Sequence, residues 1–69
     1  SNEKLQDRGV RIIMQLTGLD HENSIKLLKS ADDEVKTAVL MEKLQIEKRK
    51  AREILKNNLG SLRNSLKAD

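Results

Sequence analysis

Apolar and polar positions along the chain follow a period close to 3.6 and nowhere a period of 2, so the pattern predicts helices and no strands. In the first segment Leu5, Gly9, Ile12, Ile13 and Leu16 share one face, while Asp7, Arg8, Arg11 and Gln15 fall elsewhere. This spacing predicts a first helix from about Lys4 to Leu16. Gly9 inside the stripe lowers helix propensity and points to a close approach of another backbone. Thr17-Gly18 ends the helix, with Gly18 able to take the left-handed cap conformation. Asp20 follows as the expected N-cap of a second helix, whose stripe is Ser24, Leu27, Leu28 and Ala31. Asp32 or Asp33 is expected to cap a third helix with the stripe Val35, Ala38, Val39 and Glu42.

Residues 33 to 58 contain neither Gly nor Pro, and propensity alone would allow one long helix there. A repeat argues for a break near Gln45. Ile12, Ile13 and Met14 return 27 positions later as Val39, Leu40 and Met41. Leu19 returns as Ile46, Ser24 as Ala51, Leu27-Leu28 as Ile54-Leu55, Val35 as Leu62 and Val39 as Leu66. The third helix then closes one three-helix unit and opens a second, overlapping one. Glu47 takes the place of Asp20 and is a poorer cap. The fourth helix spans about Glu47 to Asn57, with Ala51, Ile54 and Leu55 inward. After the stop signal Asn58-Leu59-Gly60, Ser61 caps a short fifth helix with Leu62, Ser65 and Leu66 inward. The expected fold is an all-α bundle of about five short helices in one domain over residues 1–69, with residues 1–3 a tag remnant or linker.

Composition narrows the function classes. A chain of 69 residues buries only about 60% of the surface it exposes unfolded, so its core is small. With no Phe, Trp or Tyr, that core is built from aliphatic side chains, and the stacking platforms of single-stranded nucleic-acid binders are missing. There is no cysteine, hence no disulfide framework and no thiolate metal site. No stretch is apolar for long enough to span a membrane and no signal-peptide pattern opens the chain, so a cytoplasmic location is the default expectation.

Two charge clusters and a lone histidine invite chemistry. Lys43, Lys48, Arg49, Lys50, Arg52 and Lys56 make the fourth helix the most basic stretch, but Glu42, Glu47 and Glu53 lie among them and support an ordinary ion-paired surface. No nucleic-acid partner is expected. Asp32, Asp33 and Glu34 stand together at a helix start, where the macrodipole and capping explain acids without any acid-base role. His21 lies in the first turn of a helix without further soft ligands, so no metal or cofactor site is expected. No Gly-rich phosphate loop and no nucleophile-base pair is present. No catalytic residue is assigned, and this stretch is not expected to be an enzyme by itself.

A Thr-Gly break, an apolar residue, a polar run, then a small residue and two leucines is the grammar of a ubiquitin-associated-type module. A more specific match lies on its flank. Asn2, Lys4, Leu5, Arg8, Arg11, Ile12, Ile13 and Met14 are followed by Thr17-Gly18, Leu27-Leu28 and the run Val35 to Val39. Together they resemble the C-terminal region of the N-acetylmuramic acid 6-phosphate etherases, which is similar to the helical cap of the glucokinase regulatory protein. The resemblance implies an excised, ubiquitin-associated-like C-terminal domain of a bacterial enzyme. It implies a parent whose sugar-isomerase-type α/β domain binds the phosphosugar and supplies the catalytic glutamates. That lyase would split the D-lactyl ether of N-acetylmuramic acid 6-phosphate into N-acetylglucosamine 6-phosphate and D-lactate during peptidoglycan recycling. The partners implied are that α/β domain and a dimer mate. Asn2, Lys4 and Arg8, with Arg11, are the candidates for packing between domains or beside the ligand. Lys43-Leu44-Gln45 and Asn57 to Gly60 depart from the pattern. A free-standing ubiquitin-associated binding module is the competing reading.

Overall fold

Each amphipathic segment folds as a helix in the computed structural model, which describes residues 2–68. The helices are α1 (Asn2–Thr17), α2 (His21–Ser30), α3 (Val35–Leu44), α4 (Lys48–Asn57) and α5 (Leu62–Lys67). The central element is α3, which packs against all four others, while α1 pairs with α2 and α4 with α5. Its short sequence explains that position. Thr37, Ala38, Val39 and Leu40 are consecutive and all buried, so the helix is covered on more than one side. Ala38 and Val39 join Val10, Ile13, Leu28 and Ala31 in one core cluster. Thr37 and Leu40 are buried outside that cluster, and α3 also packs against α4 and α5.

The expected helix ends are largely in place. Gly18 takes φ 78° and its N–H closes α1 on the Met14 carbonyl at 2.9 Å. Asp20 caps α2 by accepting from the Asn23 N–H at 2.8 Å, and Ser61 caps α5 by accepting from the Asn64 N–H at 3.0 Å. Glu47 holds the N-cap position of α4 without a side-chain capping bond. The break at Gln45 is real: this residue adopts φ 54° and separates α3 from α4.

The 27-residue repeat extends to the backbone. Left-handed residues occur in pairs at that offset: Gly18 and Gln45, Asp32 and Leu59, Asp33 and Gly60. The turns are bonded alike, with the Asp33 N–H on Leu28 O at 2.9 Å and the Gly60 N–H on Leu55 O at 2.8 Å. Two three-helix units therefore share α3, as the sequence repeat predicts.

Two expectations need correction. Neither Asp32 nor Asp33 caps α3; Glu34 holds that position, with no side-chain capping bond. The two aspartates sit at φ 55° and 65° in the turn that closes α2, and the Asp32 carboxylate is bonded to α4 rather than to the free amides of α3. The buried face of α1 is also rotated toward Val10. Gly9, Val10 and Ile13 face the core, whereas Leu5 is 65% exposed and Ile12 and Leu16 are also exposed. The cause is Gly9. A Cβ there would lie 2.9 Å from Val35 Cγ2 and 3.4 Å from Leu28 Cδ2, so the neighbouring helices come in over the glycine itself.

Candidate docking surface

The acidic turn and the basic helix pair with one another. Arg52 of α4 grips Glu34 with two nitrogens, its Nε donating to Oε1 at 3.0 Å and its Nη2 to Oε2. The same Nη2 donates to Asp32 Oδ2 at 2.8 Å, and Lys48 Nζ reaches that oxygen at 2.7 Å. Thr37 Oγ1 adds a bond to Glu34 Oε1 at 2.9 Å. The bonds from Lys48 and then Arg52 hold the Asp32 carboxyl below its ordinary range. Arg52 and then Thr37 do the same for Glu34, and Glu34 chiefly raises the Arg52 guanidinium. These carboxylates are ionised struts between the two units. Lys48 and Arg52 are correspondingly engaged within the fold, and Lys50 pairs with Glu53 at 3.3 Å.

The residues marked for inter-domain contact lie on α1. Lys4, Arg8 and Arg11 are exposed, and their i, i+4, i+7 spacing puts them on one face. The Asn2 side chain lies outside the described residues. No ion pair engages Lys4, Arg8 or Arg11 among the described residues. Beside this basic face run the exposed Leu5, Ile12 and Leu16.

The repeat sets this face beside its counterpart on α3. Arg8, Arg11, Ile12 and Gln15 correspond to Val35, Ala38, Val39 and Glu42 of α3. On α3, Val35, Ala38 and Val39 pack on the core that α1 and α2 supply. Two of the equivalent α1 positions are arginine, and Ile12 is exposed.

A second feature was not visible in the sequence. Leu16 of α1 and Leu62 and Leu66 of α5 floor a groove edged by Lys43, Arg63 and Lys67. Lys43 stood in the sequence as part of the basic fourth-helix stretch, but it belongs to the last turn of α3. Arg63 and Lys67 lie i, i+4 on α5, the one available signal that they share a face. Chemistry is otherwise sparse. His21 is exposed at the start of α2, and no group of three His, Cys, Asp or Glu that could hold a metal ion occurs among the described residues. No helix among them is long and apolar enough to cross a membrane.

Fold and surface define a small all-α bundle of two overlapping three-helix units with an uncovered basic and apolar face. Comparison with known proteins places it more narrowly. The chain is 42% identical over 66 residues to an N-acetylmuramic acid 6-phosphate etherase of Histophilus somni, a match covering 96% of the chain and 22% of the relative. It is 40% identical over 67 residues to the etherase of Clostridium botulinum strain Hall, covering 97% and 22%. With the etherase of Picosynechococcus sp. it shares 40% over 68 residues, covering 99% and 23%. The chain is thus homologous to part of these etherases over almost its whole length and spans less than a quarter of theirs, consistent with a C-terminal domain. No family model matches the chain, and no solved structure matches it.

Proposed function

We propose that the chain is the non-catalytic, ubiquitin-associated-like C-terminal domain of an N-acetylmuramic acid 6-phosphate etherase, serving inter-domain and dimer packing. The parent cleaves the D-lactyl ether of the phosphosugar to N-acetylglucosamine 6-phosphate and D-lactate in the cytoplasm. The α/β domain and the dimer mate are the surfaces it meets. The observation that carries this reading is the bare face of α1. Arg11 and Ile12 hold positions that the next unit buries, Arg8 one that it half-buries, and Leu5 extends the face.

The test uses the full-length protein. Ile12→Glu with Arg8→Glu should weaken dimer formation in light scattering while residual D-lactate release from the phosphosugar keeps its chemistry. An unchanged dimer and unchanged thermal midpoint would overturn the packing role. A reading frame lacking about two hundred residues of α/β domain ahead of Asn2 would overturn the parentage. The competing ubiquitin-associated binding module usually presents a Met-Gly-Phe-like loop where this chain has Leu16-Thr17-Gly18-Leu19. Clear saturable amide shifts at Gly18 and Leu40 in a titration with ubiquitin would favour it.

A further inference from the structure

The groove between α1, α3 and α5 differs from the neighbouring hollows in the sign of its rim. Its floor is Leu16, Leu62 and Leu66, its volume is about 380 Å³, and the charges around it are Lys43, Arg63 and Lys67. Three other hollows each include an acid: Asp33 in two of them, Glu47 and Glu53 in the third. The segregation continues in the sequence. Residues 8 to 19 and residues 58 to 68 contain no Asp or Glu. No ion pair engages Lys43, Arg63 or Lys67 among the described residues, as holds also for Lys4, Arg8 and Arg11, so the rim charge is available to a partner.

The two halves of this chemistry narrow the occupant. A bare phosphate backbone would satisfy the cations but leave three leucines facing a polar strand. A purely apolar segment would cover the leucines but bring nothing to the rim. Both are met by a helix with an apolar stripe flanked by carboxylates, since its side chains at i, i+3/i+4 and i+7 present apolar and charged groups side by side. The molecule contains a small precedent in Lys48 and Arg52, which hold Asp32 and Glu34 along the join of its two units.

We propose that the groove of Leu16, Leu62 and Leu66, rimmed by Lys43, Arg63 and Lys67, docks an acidic amphipathic helix of a partner protein. The apolar stripe of the helix lies on the leucines and its carboxylates meet the rim. Complementary rim charge adds specificity and association rate more than affinity, so the contact is of moderate strength and salt-sensitive. It does not depend on the parentage proposed above.

The 69-residue chain itself serves for the test. The probe is a synthetic, terminally blocked helical peptide with leucines at helical spacing and flanking glutamates; the control replaces each glutamate by lysine. Amide shifts of the isotope-labelled chain should saturate with the glutamate peptide at Leu16, Lys43, Leu62 and Leu66, and the lysine peptide should bind about tenfold more weakly or not at all. Lys43→Glu with Lys67→Glu, both exposed positions, should keep the fold and reverse the preference of the two peptides. Shifts absent at those amides, equal binding of both peptides, or an unreversed preference would overturn the proposal. So would stronger perturbation of the same amides by a single-stranded oligonucleotide or by anionic vesicles, which would assign the cations to phosphate.

Discussion

The two overlapping units have the same backbone and different chemistry. Where α1 has Gly9, α3 has Lys36; where the first turn has Asp32 and Asp33, the second has Leu59 and Gly60. The glycine lets Val35 and Leu28 approach α1 directly, whereas Lys36 reaches across to donate to the Gly60 carbonyl at 2.8 Å. The first turn engages α4 through Asp32 and Glu34, but in the second Leu59 is 97% exposed. The first unit is thus tied to the second by its turn. Backbone geometry is repeated in the left-handed turn residues and their hydrogen bonds, whereas the side-chain caps are not. Side chains diverge: the first turn is ion-paired to α4, whereas the second exposes Leu59.

The largest expected effect concerns the shared helix. Ile13 and Leu40 are repeat counterparts and both completely buried. Ile13→Ala and Leu40→Ala should each cost about 2–5 kcal/mol, enough to unfold much of a domain this small. Because α3 belongs to both cores, each variant should show one cooperative urea transition by circular dichroism. If Leu40→Ala freed α4 and α5 while amides of α1 to α3 stayed protected from exchange, the units would be independent.

A smaller effect, of opposite sign, comes from two buried hydroxyls. Ser24 Oγ and Ser65 Oγ have no hydrogen-bond partner among the described residues, and the repeat places alanine at each equivalent position, Ala51 and Ala38. Ser24→Ala and Ser65→Ala should each raise stability by about 1 kcal/mol, read as a higher urea midpoint at unchanged slope. A loss of stability in either would mean that its hydroxyl is bonded in solution and that the two units are not interchangeable there.

Left-handed positions come next. Gln45 at φ 54° stands where the first unit has Gly18, and Leu59 adopts φ 55° with its side chain in solvent. Gln45→Gly and Leu59→Asn should each stabilise by roughly 0.5–1 kcal/mol, because glycine and asparagine enter this region at lower cost. Gly18→Ala should destabilise by a similar amount, and thermal midpoints would rank the three.

The same comparison shows what could be read from the chain. Helix number, the break at Gln45, the caps at Asp20 and Ser61 and the shared α3 all follow from local spacing and a repeat, which are properties of the sequence alone. The rotation of α1 toward Val10 does not, since it depends on how closely α2 and α3 approach Gly9. The grip of Arg52 on Glu34 joins residues 18 apart in different helices, so no local pattern announces it. The candidate face on α1 was marked by the family resemblance at Asn2, Lys4 and Arg8, with Arg11, whereas periodicity alone put Leu5, Ile12 and Leu16 on the buried side. The leucine groove was not legible, because it is assembled from three helices.

The ion-paired join of the units gives the finest test. Asp32 and Glu34 have folded-state pKa values below their ordinary 3.8 and 4.5. The unfolded chain therefore binds more protons than the folded one as pH falls through this range. Their contribution is fully present above the unfolded values and is lost as pH falls through the folded ones. Stability should decline from about pH 5 downward, less steeply in high salt. In Arg52→Met with Lys48→Met both carboxylates lose their principal partners, so the part of that slope due to them should disappear. Leu59 and Ser61, their counterparts in the second unit, have no proton to take up. A denaturation series in which the double variant kept the parent's acid slope would show that other carboxylates produce it, and that the turn-to-helix tie contributes little to holding the two units together.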